Sequence, residues 1–314
     1  MSTAIYHKDN TITVNGKEVT IHDRQLETDY RRIEEVSFED GVTQIKEVAF
    51  VGCRKIRTIN IPDSVIEIGE CAFKNCKGLK ELHLPDGLTS IGGCAFWGCS
   101  RLTGDLIIPD SVTNIGDSAF SECSGFDREL HLPERLTSIG EDAFYGCSGL
   151  TGELHLPNSL TNISEYAFYN CKGLTGDLII PDSVTNIEES AFSYCSGFDG
   201  ELHLPERLTS IGNYAFWGCN RLTGDLHLPD GLTNIGSFAF GICSGLTGEL
   251  HLPEGLTSIS DDVFYDCSGL TGDLIIPDNV TNIGESAFSG CSGLTGELRL
   301  PDGITNIGDD TFSE

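Results

Sequence analysis

Basic residues are scarce in this 314-residue chain: 19 lysines and arginines stand against 48 aspartates and glutamates, a formal net charge of −29. Nucleic acid and anionic membranes bind through cationic contacts, so both are poor partners and no nucleic acid is expected. Solubility, cations or a basic protein surface are favoured instead. No apolar run approaches the length of a membrane span, and membrane insertion is not expected. The opening residues, MSTAIYHKDNTITV, lack the hydrophobic stretch of a secretory signal. Proline is absent outside one recurring position, which leaves none for an interdomain linker. Enzyme motifs are missing as well: there is no Gly-x-Ser-x-Gly, phosphate loop, dinucleotide fingerprint or Cys-x-x-Cys. A catalytic centre needs a unique constellation, and few residues are unique after the first 40. A non-enzymatic protein without a cofactor is expected.

What is present is repetition. The segment Leu130 to Glu153, LHLPERLTSIGEDAFYGCSGLTGE, recurs with small edits along nearly the whole chain. Phe96, Phe120, Phe144, Phe168, Phe192, Phe216, Phe240, Phe264, Phe288 and Phe312 follow one another at 24 residues, and Phe50 and Phe73 extend the series backwards at 23. A fixed period of this length marks a solenoid of stacked coils. Leu130, Leu132, Leu136, Ile139, Ala143, Phe144, Cys147 and Leu150 are the apolar positions of the unit. Leu-x-Leu predicts a short strand with alternate side chains on opposite faces. The strand must end at Pro133, which has no N–H for a ladder. A turn follows, then the extended Leu-Thr-Ser-Ile, then the compact Gly-Glu-Asp-Ala-Phe. Ser148-Gly149 is expected to loosen the chain for its return. One coil cannot bury eight apolar groups alone. Stacking at a strand spacing of roughly 4.8 Å buries them between neighbours, with phenylalanine on phenylalanine and leucine on leucine.

Leu79-x-x-Leu82-x-Leu84 matches the leucine-rich repeat core, and the wider unit IPxSVTxIGxxAFxxC resembles the BspA-like leucine-rich repeat family. The resemblance covers about residues 33–314, twelve coils of 23–24 residues. It departs from the general leucine-rich pattern in having Pro and an acid where an asparagine is usual. From the third coil on, an extra residue separates the first Leu from Leu-x-Leu, as in Leu102-Thr-Gly-Asp-Leu106. The resemblance implies a right-handed, curved leucine-rich repeat solenoid. Its short parallel strands would line the concave face, with an irregular convex side. It also implies a bacterial surface or secreted protein of adhesin type, although no signal peptide is present, so the compartment stays open.

On that expected concave face stand the middle residues of each Leu-x-Leu, including His83, Ile107, His131, His155, Ile179, His203, His227 and His251. Two residues earlier comes an acid, as with Asp105, Glu129 and Glu153. Three readings of this acid-x-His stripe remain open. It is a solvated polar stripe that meets a protein or host-surface ligand, a metal site built from His131, His155, Glu129 and Glu153, or a face whose imidazoles gain charge near pH 6. A second acidic row follows the prolines, from Asp63 to Asp302, and reads as solvated edge charge rather than a Ca²⁺ site. Trp97, Tyr145, Tyr166, Tyr169, Tyr194, Tyr214, Trp217 and Tyr265 gather around the Ala-Phe turn, as interface anchors or as packing between coils.

Eleven cysteines, Cys53 to Cys291, hold one repeat position and read as buried free thiols. Cys71 and Cys94 are additional, one coil apart, and are the candidates for a disulfide. Residues 1–32 are expected to cap the first coil of a 33–314 solenoid: a hairpin turning at Asn15-Gly16, then a candidate helix from Asp23 to Arg32. The last coil is incomplete. The Leu298–Leu300 strand is therefore expected either to be followed by further chain or to self-associate with another chain. Residues 106–177 and 178–249 align as repeated three-coil blocks, which lengthen a surface without adding a new site.

Deleting one core ring tests the stacking. Phe144→Ala is expected to lower stability in urea unfolding by about 3–5 kcal/mol through the cavity left in its row. Ser138→Asn, which only exchanges two residues used at that position, should leave the midpoint unchanged.

Overall fold

The computed structural model describes residues 2–9, 11–14, 17–19 and 31–313. The chain divides into two compact units, Met1–Thr151 and Gly152–Glu314. Each is a β-solenoid of stacked coils, with no helix among the described residues.

The first unit begins with a sheet that sequence reasoning did not foresee in full. β1 (Ser2–Tyr6) pairs antiparallel with β2 (Ile12–Val14) and parallel with β4 (Ile33–Phe38), while β2 pairs antiparallel with β3 (Lys17–Val19). The Asn15-Gly16 turn and residues 23–30 of the candidate helix lie outside the described residues. β1 was missed because STAIY is short and polar at its start. Its anchor is Tyr6, which is fully buried with its ring 5.7 Å from Phe38 and 5.9 Å from Phe50. The Tyr6 hydroxyl accepts the Lys46 N–H at 2.8 Å, so one side chain ties the sheet to the first turns of the solenoid.

The more continuous ladder is not Leu-x-Leu but the second extended piece. In the first unit the two-residue strands Gln44–Ile45, Glu67–Ile68, Ser90–Ile91, Asn114–Ile115 and Ser138–Ile139 form one five-stranded parallel sheet. In the second unit the equivalent Asn-Ile and Ser-Ile pairs form two sheets, from Asn162 to Ile235 and from Ser258 to Ile307. Isoleucine is buried in each pair, the terminal Ile307 excepted, and its polar neighbour faces outward or lies half-buried. Leu-x-Leu pairs fully only where its centre is isoleucine: Leu106–Ile107 with Leu130–His131, Leu178–Ile179 with Leu202–His203, and Leu274–Ile275 with Leu298–Arg299. Between the His203 and Ile275 coils, the single bridges Glu201↔Thr223, Asp225↔Thr247 and Glu249↔Thr271 stand in place of the ladder. A β-branched centre favours the extended backbone that full pairing needs. Leu132, Leu156, Leu204 and Leu228, expected in the core, are accordingly only half-buried.

Inside, phenylalanine rings stack as expected. Centroids from Phe50 to Phe144 are 5.2–5.7 Å apart with planes within 10°, and those from Phe168 to Phe312 are 5.3–5.9 Å apart within 15°. The backbone carries the same step: the Phe96 N–H donates to the Ala119 carbonyl at 2.8 Å, and the Phe216 N–H to Ala239 at 2.8 Å. To present that N–H, the residue two before each phenylalanine takes a left-handed conformation, with φ of 51–59° from Val48 to Asp310, although none of them is glycine. Gly149 has a different role from loosening the chain. A Cβ there would press into the Phe126 carbonyl oxygen, so glycine permits close approach of adjacent coils.

The cysteine row is buried and free. Its thiols do more than fill space: Cys123 Sγ donates to the Phe96 carbonyl at 3.1 Å and Cys219 Sγ to Phe192 at 3.1 Å. Cys71 and Cys94 are half-buried free thiols, each in the left-handed conformation. Burial first, and then the neighbouring Cys94, push the Cys71 thiol up to about 11.

Burial also pushes the Cys53, Cys99, Cys147 and Cys219 thiols up to about 12, from an ordinary value of 9.0. The folded chain keeps these protons while the unfolded chain releases them. Their contribution to stability is therefore complete below about pH 9 and is lost as pH rises towards about 12, at about 1.4 kcal/mol per pH unit for each thiol. A urea midpoint level from pH 7 to 8.5 and falling steeply from pH 9 to 11 is expected. A midpoint level through pH 11 would contradict the buried row.

Candidate functional site

Each strand preceding a proline alternates inward leucine with an outward centre, so the outward residues form rows at the coil spacing. His83, Asp105, Ile107, Glu129 and His131 are all exposed on the first unit. Glu153, His155, Ile179, His203, His227 and His251 are likewise exposed on the second. Ile107, Ile179 and Ile275 are 61%, 54% and 50% exposed, unusual for β-branched apolar residues with polar neighbours.

Four acid-x-His pairs close within the strand. His131 Nε2 lies 3.5 Å from Glu129 Oε2, His155 3.8 Å from Glu153, His203 3.7 Å from Glu201, and His251 3.8 Å from Glu249. No such contact is found for His83 or His227 among the described residues. All eight paired side chains are about half exposed or more, and such pairs contribute about 0–1 kcal/mol to stability. These four pairs therefore add little to folding. The metal alternative divides between the units, with Glu129 and His131 on the first and Glu153 and His155 on the second. Among the described residues no group of three or more His, Cys, Asp or Glu side chains is placed to hold a metal ion.

Not every predicted residue is spare. Asp105 Oδ1 accepts the Glu129 N–H at 3.2 Å, Asp177 Oδ1 that of Glu201 at 2.8 Å, and Asp273 Oδ1 that of Glu297 at 2.7 Å. These short acids staple the next coil, whereas Glu129, Glu153, Glu201 and Glu249 at the same position reach out to histidine. Sequence reasoning treated the two alike; side-chain length separates them.

In the first unit the structure brings His83, Asp105 and Ile107 to one open hollow of about 700 Å³, with Asp127 and Arg128 on its rim. A second hollow of about 510 Å³ was not foreseen. Arg54, Lys55, Arg57, Lys80 and Arg101 line it, and Glu34 pairs with Lys55 at 3.9 Å. The signal was available in the sequence: 15 of the 19 basic residues fall in Met1–Thr151. In the last coil Leu298, Leu300, Ile307 and Phe312 are 39–49% exposed, and Phe288, Leu294 and Phe312 border a hollow of about 310 Å³.

Comparison with known proteins agrees with this geometry. The family model for the BspA type leucine rich repeat region (6 copies) matches residues 20–128, 127–224 and 209–314. A solved leucine-rich repeat protein from Bacteroides ovatus is 25% identical, with 98% of this chain and 84% of that chain covered and a TM-score of 0.61. A leucine rich cell surface protein from Faecalibacterium prausnitzii is 30% identical, over 85% of this chain and 73% of that chain, with a TM-score of 0.53. One from Eubacterium ventriosum shares the fold at 20% identity, with 98% and 90% covered and a TM-score of 0.59. A search of curated proteins gave no match.

Proposed function

Because the chain belongs to the BspA-type leucine-rich repeat family, we propose that it is a non-enzymatic, adhesion-type binding module. Its acidic, histidine-rich Leu-x-Leu face holds a protein or host-surface ligand. Leucine-rich repeat solenoids are typically binding scaffolds. The observation that carries the reading is the exposure of Ile107, Ile179 and Ile275 beside acid-x-His pairs: apolar contact points within a polar, hydrogen-bonding surface. The pairs are not needed by the core, and the isoleucine side chains point away from it. The Faecalibacterium prausnitzii relative, a cell surface protein, supports display at the bacterial surface. Affinity is spread over several coils and weakens with salt, since the face is charged and exposed.

The test is capture from host matrix extract and cell lysate by the intact chain and by a variant with His131, His155, His203 and His227 changed to alanine. The variant should keep its unfolding midpoint and lose ligand capture. Equal capture by both would move the binding site off this face.

A second reading, self-association through the last coil, is favoured by the exposed Leu298, Ile307 and Phe312. Light scattering should then show mass growing with concentration, and Phe312→Ser with Ile307→Ser should abolish the growth. A constant monomer mass would remove this reading.

A further inference from the structure

The outer turns of the second unit, from the Phe168 coil to the Phe264 coil, carry more aromatic surface than the core can use. Phe168, Phe192, Phe216, Phe240 and Phe264 already fill the interior and are fully buried. Outside them, Tyr194, Tyr214 and Tyr265 are 47%, 36% and 37% exposed. The rings form a patch rather than scattered side chains. Tyr214 stacks on Phe238 at 4.7 Å and 5°, and Trp217 meets both edge-on at 6.0 Å and 5.2 Å. Trp217 also reaches Tyr265 at 6.4 Å, in near-parallel planes. It lies over Gly241, where any Cβ would collide with its six-membered ring, and Tyr194 rests against Gly218, its ring 3.3 Å from where a Cβ would stand. At these two positions a glycine follows the large residue one coil later, so Trp217 and Tyr194 each spread over the next coil.

The charge around this patch has one sign. Gly152–Glu314 holds 24 acidic residues and only four basic ones, Lys172, Arg207, Arg221 and Arg299. Arg221 is already paired with Asp199 at 3.0 Å. Residues 164–171, 188–195, 212–219, 236–243 and 260–267, which make up the five turns, contain no lysine, arginine or histidine. The first unit shows what such a ring accepts when a cation is supplied. Lys74 Nζ sits 4.4 Å above the Trp97 ring, and these two residues occupy the repeat position that Trp217 and Tyr265 hold.

We propose that this aromatic patch docks an arginine- or lysine-rich segment of a partner protein, with its cations seated on the rings of Tyr194, Tyr214, Trp217 and Tyr265. Aromatic faces attract cations, and arginine stacks best. Nearby Asp262 and Asp266 balance the charge. Rings of this kind are the usual anchors of protein interfaces, and an exposed apolar patch rimmed by polar groups marks an interaction site. The surface is distinct from the Leu-x-Leu face and operates whether or not that face binds its own ligand.

Calorimetric titration with a short synthetic peptide of alternating arginine and glycine tests it, against the same peptide with citrulline for arginine. Trp217→Ser, Tyr214→Ser and Tyr194→Gly install residues that the repeat already carries at these positions in Ser193, Ser190 and Gly218. The fold is thereby retained, which a thermal melt checks, and net charge does not change. Each single change should weaken the arginine peptide about threefold, and the triple change about tenfold or more. Alanine at His203 and His227 should have no effect. Equal affinity of the intact and triple-variant chains would show attraction by acidity alone and overturn the proposal. So would a citrulline peptide that binds as tightly, or a patch that takes a neutral oligosaccharide such as cellohexaose in place of the peptide.

Discussion

The structure depends on one constraint: no coil can close its own core, so each must present its ring, thiol and backbone groups to the next coil in a fixed register. The phenylalanine step of 5.2–5.9 Å, the Phe N–H to Ala carbonyl bond and the Cys thiol to Phe carbonyl bond are three expressions of that register. Left-handed backbone at a residue with a side chain costs about 1–2 kcal/mol. The chain nevertheless accepts it in every turn from Val48 to Asp310. The return is a backbone N–H aimed at the neighbouring coil, where it would otherwise be lost.

Repetition of the core leaves function to the outward positions, where coils differ. On the Leu-x-Leu face isoleucine coils are set among histidine coils, and Asp105, Asp177 and Asp273 serve the backbone while Glu129, Glu153, Glu201 and Glu249 meet histidine. On the outer turns small residues in some coils make room for aromatic rings in others. Charge follows the same logic, because basic side chains are confined mainly to the first unit and the second is almost wholly acidic. Two faces of one scaffold thus carry different chemistry without any change in the core.

Much of this was legible in the residues. The 24-residue period named the architecture, the phenylalanines and cysteines named the core rows, and each proline marked the end of its strand. What escaped was geometry that residue type does not encode. Ser-Ile and Asn-Ile look like a weaker strand signal than Leu-x-Leu, yet they make the longer ladder, because the other row pairs fully only at its isoleucine coils. Cys71, Ser118 and Tyr214 give no sign of a positive φ, since the requirement comes from the adjacent coil. Gly149 looked like a hinge and is a point of contact. Asp105 and Glu129 read alike as acids, and the structure assigns one to the backbone of the next coil and the other to its histidine. The family resemblance was carried by recurrence, whereas a binding partner leaves no recurrent mark.

Nearest-neighbour stacking is the central claim, and a double-mutant cycle in the second unit tests it most directly. Phe192→Ala combined with Phe216→Ala should show a coupling of about 0.5–3 kcal/mol, because the rings share one cavity, while Phe192→Ala with Phe288→Ala should be additive within about 0.5 kcal/mol. Additive behaviour of the adjacent pair, or equal coupling of the distant one, would contradict a core assembled coil upon coil.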